Sequence, residues 1–268
     1  MIPVLSDEHK AYIREKTKEK RTVSALRAAI ILLFFLLWEA FTRIGVLDPF
    51  IFSSPSRAFR CLYRMSLDGT IFRHAAVTFC EAAVGFLAGT VCGILIAMIL
   101  WWFPRAEKVL DPYLVVINSL PKIALGPVII VWVGSGYSSI LTVTLLVSVV
   151  CTVIGVLSGF REVDEEKLTL LRSFGAKKRQ LFAYAVFPAS IPAVISALKI
   201  NVGMTWVGVI VGEFLVSRSG LGYLIVYGGQ VFRMDLVMGS VLILCALAGV
   251  MYYAVGFAEK KAKRFLAD

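Results

Sequence analysis

Four ionisable side chains fall within, or at the edges of, long apolar runs of this 268-residue chain: Glu39, Glu81, Lys199 and Glu213. A charge exposed to hydrocarbon is costly, so such a group marks a solute or proton route unless a polar interface hydrates it. Lys199 and Glu213 lie about 21 Å apart along one helix, too far to pair with each other. Lys199 with Asn201 can face an interior cavity, whereas Glu213 is expected near the outer end, within reach of water. Catalysis has no comparable foothold. No G-x-x-x-x-G-K-[ST], H-E-x-x-H or G-x-S-x-G pattern occurs, and no nucleophile–base pair stands out. Cys61, Cys80, Cys92, Cys151 and Cys245 form no C-x-x-C pair and read as small hydrophobes. With only His9 and His74 beside them, no metal site is expected. The chain is expected not to be an enzyme on its own.

The surroundings of those charges set the class. The chain is 59% hydrophobic and 17% charged, with a mean hydropathy of +0.82, more apolar and less charged than a water-soluble domain. Crossing a bilayer takes about 20 apolar residues. Six segments qualify: Leu26–Ile44, Ala75–Phe103, Tyr113–Val133, Ser138–Phe160, Ser190–Leu215 and Leu236–Phe257. An all-α integral membrane protein with six transmembrane helices follows, as a basic tail over 1–22 and a single membrane domain over 23–268. The first apolar run holds Glu39 and Arg43 and lacks a small-x-small cleavage pattern, so it reads as a retained helix, not a signal peptide. The net charge of +10 collects in the tail and loops without a nucleic-acid-binding pattern, so no nucleic-acid partner is expected.

The placement of lysine and arginine sets orientation. The tail, the Arg105/Lys108 loop, the 161–179 loop and the C-terminal group of Lys260, Lys261, Lys263 and Arg264 fall on one side. Arg43, Arg57, Arg60, Arg64, Arg73, Arg218 and Arg233 fall on the other. Nineteen against seven places both termini in the cytoplasm. The first outer loop is the exception, with five arginines. There Pro55 is suited to open a short helix to about Met65, with Arg57, Arg60 and Arg64 on one face. An interfacial amphipathic helix is favoured over a partner-docking site. Gly85, Gly89 and Gly93 repeat at four-residue spacing, a pattern for close helix packing. Pro121 and Pro127 interrupt the third segment, with Asn118, Ser119 and Lys122 around the first. Broken backbone at membrane depth survives only where protein or a water-filled cavity satisfies it. The stretch Asn118–Pro127 is therefore either a pathway lining or a kink whose Lys122 snorkels to the interface.

The cytoplasmic connection over about 161–187 is more than a tether. Leu168, Leu171 and Phe174 are spaced for one helical face, with Glu165, Lys167 and Arg172 elsewhere. Gly175 is placed to end that helix. A second basic, aromatic stretch, Ala176–Phe187, leads to Pro188 and Pro192. A helix–Gly–helix unit fixed to two spanning helices would carry a push from a cytoplasmic partner into the membrane.

At this point the chain resembles a known family. The thirteen-residue spacing from Gly175 to Pro188 fits the cytoplasmic "EAA" signature of ABC-importer permeases, although Thr169, Leu170 and Leu171 occupy the Glu-Ala-Ala positions. The stretches FSSPS (Phe52–Ser56), LPKIALGPVIIVWVGSG (Leu120–Gly136), FPASIPA (Phe187–Ala193) and GEFLVSRSGLGYLI (Gly212–Ile225) follow in family order and resemble permeases of the nitrate/sulfonate/taurine type. The resemblance implies a type I importer architecture in which Glu165, Leu168, Leu171, Arg172, Phe174, Gly175, Ala176 and Pro188 form the coupling region. It implies ABC ATPase subunits as partners carrying ATP and Mg, an extracellular or periplasmic solute-binding protein, and a second permease copy in the bilayer. This chain itself would bind no cofactor. Alternating access would then move a small solute past Asn118, Ser119, Lys122, Trp132, Lys199, Asn201, Met204, Trp206 and Glu213. The branch points to a small anionic solute of the sulfonate, taurine or nitrate kind, or to a vitamin precursor such as the thiamine pyrimidine. An ion-coupled secondary transporter is the competing class.

Overall fold

A computed structural model describes the backbone of residues 7–267 and the side chains of residue 12 and residues 14–257. The side chains of Lys10, Lys260, Lys261, Lys263 and Arg264, used above for orientation, lie outside the described residues. Twelve helices are named here in chain order: α1 (Asp7–Ile44), α2 (Pro49–Phe52), α3 (Pro55–Leu67), α4 (Thr70–Trp102), α5 (Pro104–Ser119), α6 (Gly126–Val133), α7 (Tyr137–Arg161), α8 (Glu165–Ser173), α9 (Lys178–Leu181), α10 (Phe187–Val216), α11 (Leu221–Gln230) and α12 (Met234–Ala267). No strand occurs among the described residues.

Five stretches are long and apolar enough to cross a membrane unbroken: Arg14–Ile44, Thr70–Trp102, Tyr137–Arg161, Lys178–Val216 and Met234–Phe257. The sixth, expected over Tyr113–Val133, is a broken pair, Pro104–Ser119 and Lys122–Val133, bent by 88°. Leu120 is extended at ψ 137 before Pro121, the conformation that a following proline imposes. A 3₁₀ turn, Lys122–Leu125, then restarts the helix. Pro127 breaks nothing, because it occupies the first turn of α6, where no intrahelical donor is missed.

The interior is a trio, α4, α7 and α10, held close by small residues. A Cβ on Gly89 would stand 2.0 Å from Ser148 Oγ, and one on Gly93 would stand 2.5 Å from Thr152 Cβ. One turn earlier on α7, a Cβ on Gly212 of α10 would come within 2.8 Å of Ile140 Cα. The glycine repeat read from the sequence therefore faces the Thr144–Ser148–Thr152 stripe of α7. Packing of this kind suits a medium that supplies no hydrophobic drive between helices. The outermost span, α1, exposes apolar side chains along its length. Its Glu39, one of the four charges in the apolar runs, accepts from Ser56 N at 3.0 Å, from Ser56 Oγ at 3.0 Å and from Arg43 Nε at 2.8 Å. Glu39 thus ties α1 to the first turn of α3.

Candidate functional site

The region expected to couple to a partner grows from a helix of nine residues, α8. Asp164 caps its start by accepting from Glu166 N at 2.9 Å, and Glu165 and Glu166 place negative charge at the positive end of the helix dipole. Its end is a Schellman turn. Gly175 N donates to Arg172 O at 2.9 Å and Ala176 N donates to Leu171 O at 3.0 Å, with Gly175 at φ +80°. The expected apolar face is only partly realised: Leu168 is buried and Leu171 half-buried. Phe174 departs from that face. As the C-cap residue it has left the helical path, and it is 79% exposed beside an exposed Leu170. Arg172 and Glu165 form an exposed pair at 3.8 Å.

The inner side of α8 joins the membrane bundle. Leu168, Leu181 and Val186 belong to one buried cluster with Leu100 of α4, Val156 and Phe160 of α7, and Ala197 of α10. Polar contacts reinforce it. Lys178 Nζ donates to Trp102 O at 2.6 Å and stands 5.4 Å from the Trp101 ring centroid. Arg161, at the end of α7, bridges Glu107 and Asp111 of α5, the latter at 2.9 Å. A cleft of about 570 Å³ opens between these groups, lined by Trp101, Glu107, Arg161, Glu165, Arg172 and Lys178 among others. None of Lys178, Trp101 or Glu107 was singled out from the sequence, because each acts through a partner far along the chain.

The stretch Ala176–Phe187, expected as a separate second helix before the fifth span, is instead its base. Helix runs from Lys178 to Val216 through a π turn, Phe182–Val186, immediately before Pro188. The wider turn relieves the clash of the Pro188 ring with the carbonyl four residues back. α8 is therefore one tight turn from a continuous membrane lever.

The candidate pathway residues scatter. Asn201 is fully buried and donates to Thr90 Oγ1 at 3.1 Å, and Trp206 is buried beside it on α10. Lys199 is half-buried, its Cε 4.0 Å from the position of a Cβ on Gly256 of α12. Asn118 and Ser119 lie exposed at the break, where the half-buried Lys122 donates from Nζ to Asn118 O. Trp132 and Met204 are exposed on the bundle exterior.

Glu213 corrects the expectation of a hydrated outer end: it is 1% exposed. The segment Ser217–Gly220 folds back over it. Its Oε1 accepts from Thr78 Oγ1 at 2.6 Å and its Oε2 accepts from Gly222 N at 2.5 Å, in the first turn of α11. Leu221 N donates to Thr78 Oγ1 at 2.7 Å, and Gly220 N donates to His74 Nδ1 at 2.9 Å. Glu81 is also buried, close to Glu213. It lines a cavity of about 550 Å³ with Tyr137, Arg218 and the Ser135–Gly136 turn. The polar knot at this end of the bundle locks α11 and its lead-in to α4 and α10. No group of His, Cys, Asp and Glu able to hold a metal occurs among the described residues.

A bundle with one bent span and a short helix at one end has solved counterparts. The fold is similar to that of the MetNI methionine ABC transporter in an inward-facing conformation, with TM-score 0.62 and 16% identity over 75% of this chain and 98% of that one. Among curated proteins, the putative aliphatic sulfonates transport permease SsuC of Bacillus subtilis is 25% identical over 93% of this chain and 90% of its own length. The formylaminopyrimidine transport permease ThiX of Halalkalibacterium halodurans is 29% identical over 76% and 81%. Residues 89–260, which run from the glycine face of α4 through α8 into α12, match the family model described as binding-protein-dependent transport system inner membrane component. The match covers well over half of the sequence, and the chain belongs to that family of ABC-transporter permease subunits.

Proposed function

We propose that two copies of this chain line the translocation pathway of an importer powered by separate ATPase subunits, with α8 as the element those subunits move. One observation carries this reading: the buried side of α8 shares its apolar cluster with the ends of α4, α7 and α10, while Leu170 and Phe174 stand out into solvent. A partner that grips the exposed pair displaces three spans together. In this reading ATP and Mg reside on the ATPase, both termini and α8 are cytoplasmic, and a solute-binding protein delivers cargo to the opposite end, where α3 and α11 lie.

For the cargo, a small sulfonate-like or taurine-like anion follows from the resemblance to SsuC. Lys199, the sequence argument for an anion, stands beside α12 and lines none of the cavities described above. A second reading has a specific observation in its favour. The ionisable group facing the 550 Å³ cavity from within α4 is a carboxyl, Glu81, which suits a solute carrying N–H donors, and ThiX is a permease for such a heterocycle. Uptake decides between them. Proteoliposomes holding the chain, its ATPase and a binding protein should accumulate radiolabelled solute only with hydrolysable ATP. Saturation by an aliphatic sulfonate supports the first cargo and saturation by an aminopyrimidine the second. Uptake driven by an ion gradient without ATPase would refute the importer reading.

A further inference from the structure

We infer that the end of the bundle opposite α8 holds a specific anionic phospholipid, its phosphate in an arginine cleft beside α3 and one acyl chain in a groove between α1 and α12. The cleft, about 370 Å³, is lined by Arg57, Arg60, Arg64 and Arg233, with Asp68 and Asp235 at its margin. Four guanidiniums against two carboxylates leave an excess of positive charge. Asp68 is partly engaged, since it accepts from Thr70 N at 2.9 Å. Guanidinium forks match phosphate oxygens two at a time, which distinguishes such a cleft from a diffuse positive surface.

The choice of a lipid over a soluble anion or an acidic protein rests on what flanks the cleft. α3 buries Ala58 and Cys61 toward the bundle. Roughly a third of a turn away from the arginines it exposes Phe59 and Tyr63, and Phe59 packs near Phe35 of α1 with ring centroids 6.4 Å apart. That is the arrangement of a helix lying in the headgroup layer. A second cavity, about 540 Å³ and almost wholly apolar, begins one turn beyond Asp235 on α12. It is lined by Phe34, Trp38, Leu47, Phe52, Met238 and Val241 among others. Hence a charged cleft and an apolar groove meet at the first turns of α12. A free anion leaves the groove empty, and an acidic protein surface has no chain to place in it. The arginine-rich first outer loop, which runs against the usual charge bias of membrane proteins, gains a reason.

Native mass spectrometry of the purified, delipidated full-length chain tests this. Phosphatidylglycerol should be retained about tenfold or more over phosphatidylcholine of the same chains, a preference reduced to near unity in the Arg60→Gln/Arg64→Gln double variant. Arg60→Lys/Arg64→Lys, which keeps charge without the fork, should fall between. Val241→Trp, which fills the groove, should weaken retention of long-chain but not of short-chain phosphatidylglycerol. The proposal is overturned if the glutamine variant keeps the full lipid preference. It is equally overturned if inorganic phosphate displaces the lipid at comparable concentration, or if the arginine variants lose a solute-binding protein while lipid retention is unchanged. Variants are compared only where size-exclusion profiles match the parent, and the lysine pair supplies a readout should the glutamine pair fail to fold.

Discussion

Gly175 adopts a left-handed conformation, φ +80°, with nothing within 4 Å of where a Cβ would stand. A β-branched residue there meets backbone strain alone, about 1–2 kcal/mol, and opens the Schellman turn that sets α8 against the base of α10. Gly175→Val should insert and assemble normally yet hydrolyse ATP with little uptake, measured as the ratio of solute moved to phosphate released. Normal coupling in that variant would remove the turn from the mechanism. Glu213 makes a different case. Truncation to Ala strands the Gly222 N–H without its acceptor and leaves Thr78 Oγ1 only the longer contact to His74 O, a loss on the order of 1–3 kcal/mol, so Glu213→Ala should lower thermal stability in detergent. Glu81→Gln, which leaves those two contacts in place, should stay close to the parent by the same measurement. Gly175 was legible in the sequence because a helix stop is a local signal. The burial of Glu213 was not, since it depends on Thr78, which lies 135 residues away, and on a segment that folds back over the carboxyl.

Among the elements, the close approach of α4 and α7 makes the sharpest demand. Gly89→Leu places its side chain into Ser148, and overpacking of this kind costs about 1–3 kcal/mol. Thermal unfolding followed by size exclusion should show the loss, with Ser148→Gly restoring part of it in the Gly89→Ala background. Purely additive losses would mean the two helices do not meet at this pair. The glycine repeat was readable as a packing face, and the Thr144–Ser148–Thr152 stripe at the same spacing was the available clue to its partner. The π turn ahead of Pro188 carried no such signal. Proline normally ends a helix, and only the merger of α9 with α10 shows that here a wider turn carries the helix on into the span.

For the molecule as a whole, six crossings, the family and the helix-ending turn at Gly175 were legible because hydropathy and punctuation by proline and glycine act locally. The lining of the route was not, because the burial of Asn201 and the exposure of Trp132 are set by packing between residues far apart in the chain. Orientation follows from charge placement and is checked by labelling single cysteines in intact cells. A cysteine replacing Ser173 should react only after permeabilisation, and one replacing Ser66 should react before it. The central claim, that an ATPase grips α8, is tested most directly by a photo-crosslinking amino acid at Phe174 in the assembled transporter. An adduct with the ATPase subunit that forms at position 174 and is absent for the same probe at Phe232 is the predicted result. An adduct with the solute-binding protein, or none with the ATPase in a complex that hydrolyses ATP, would contradict it.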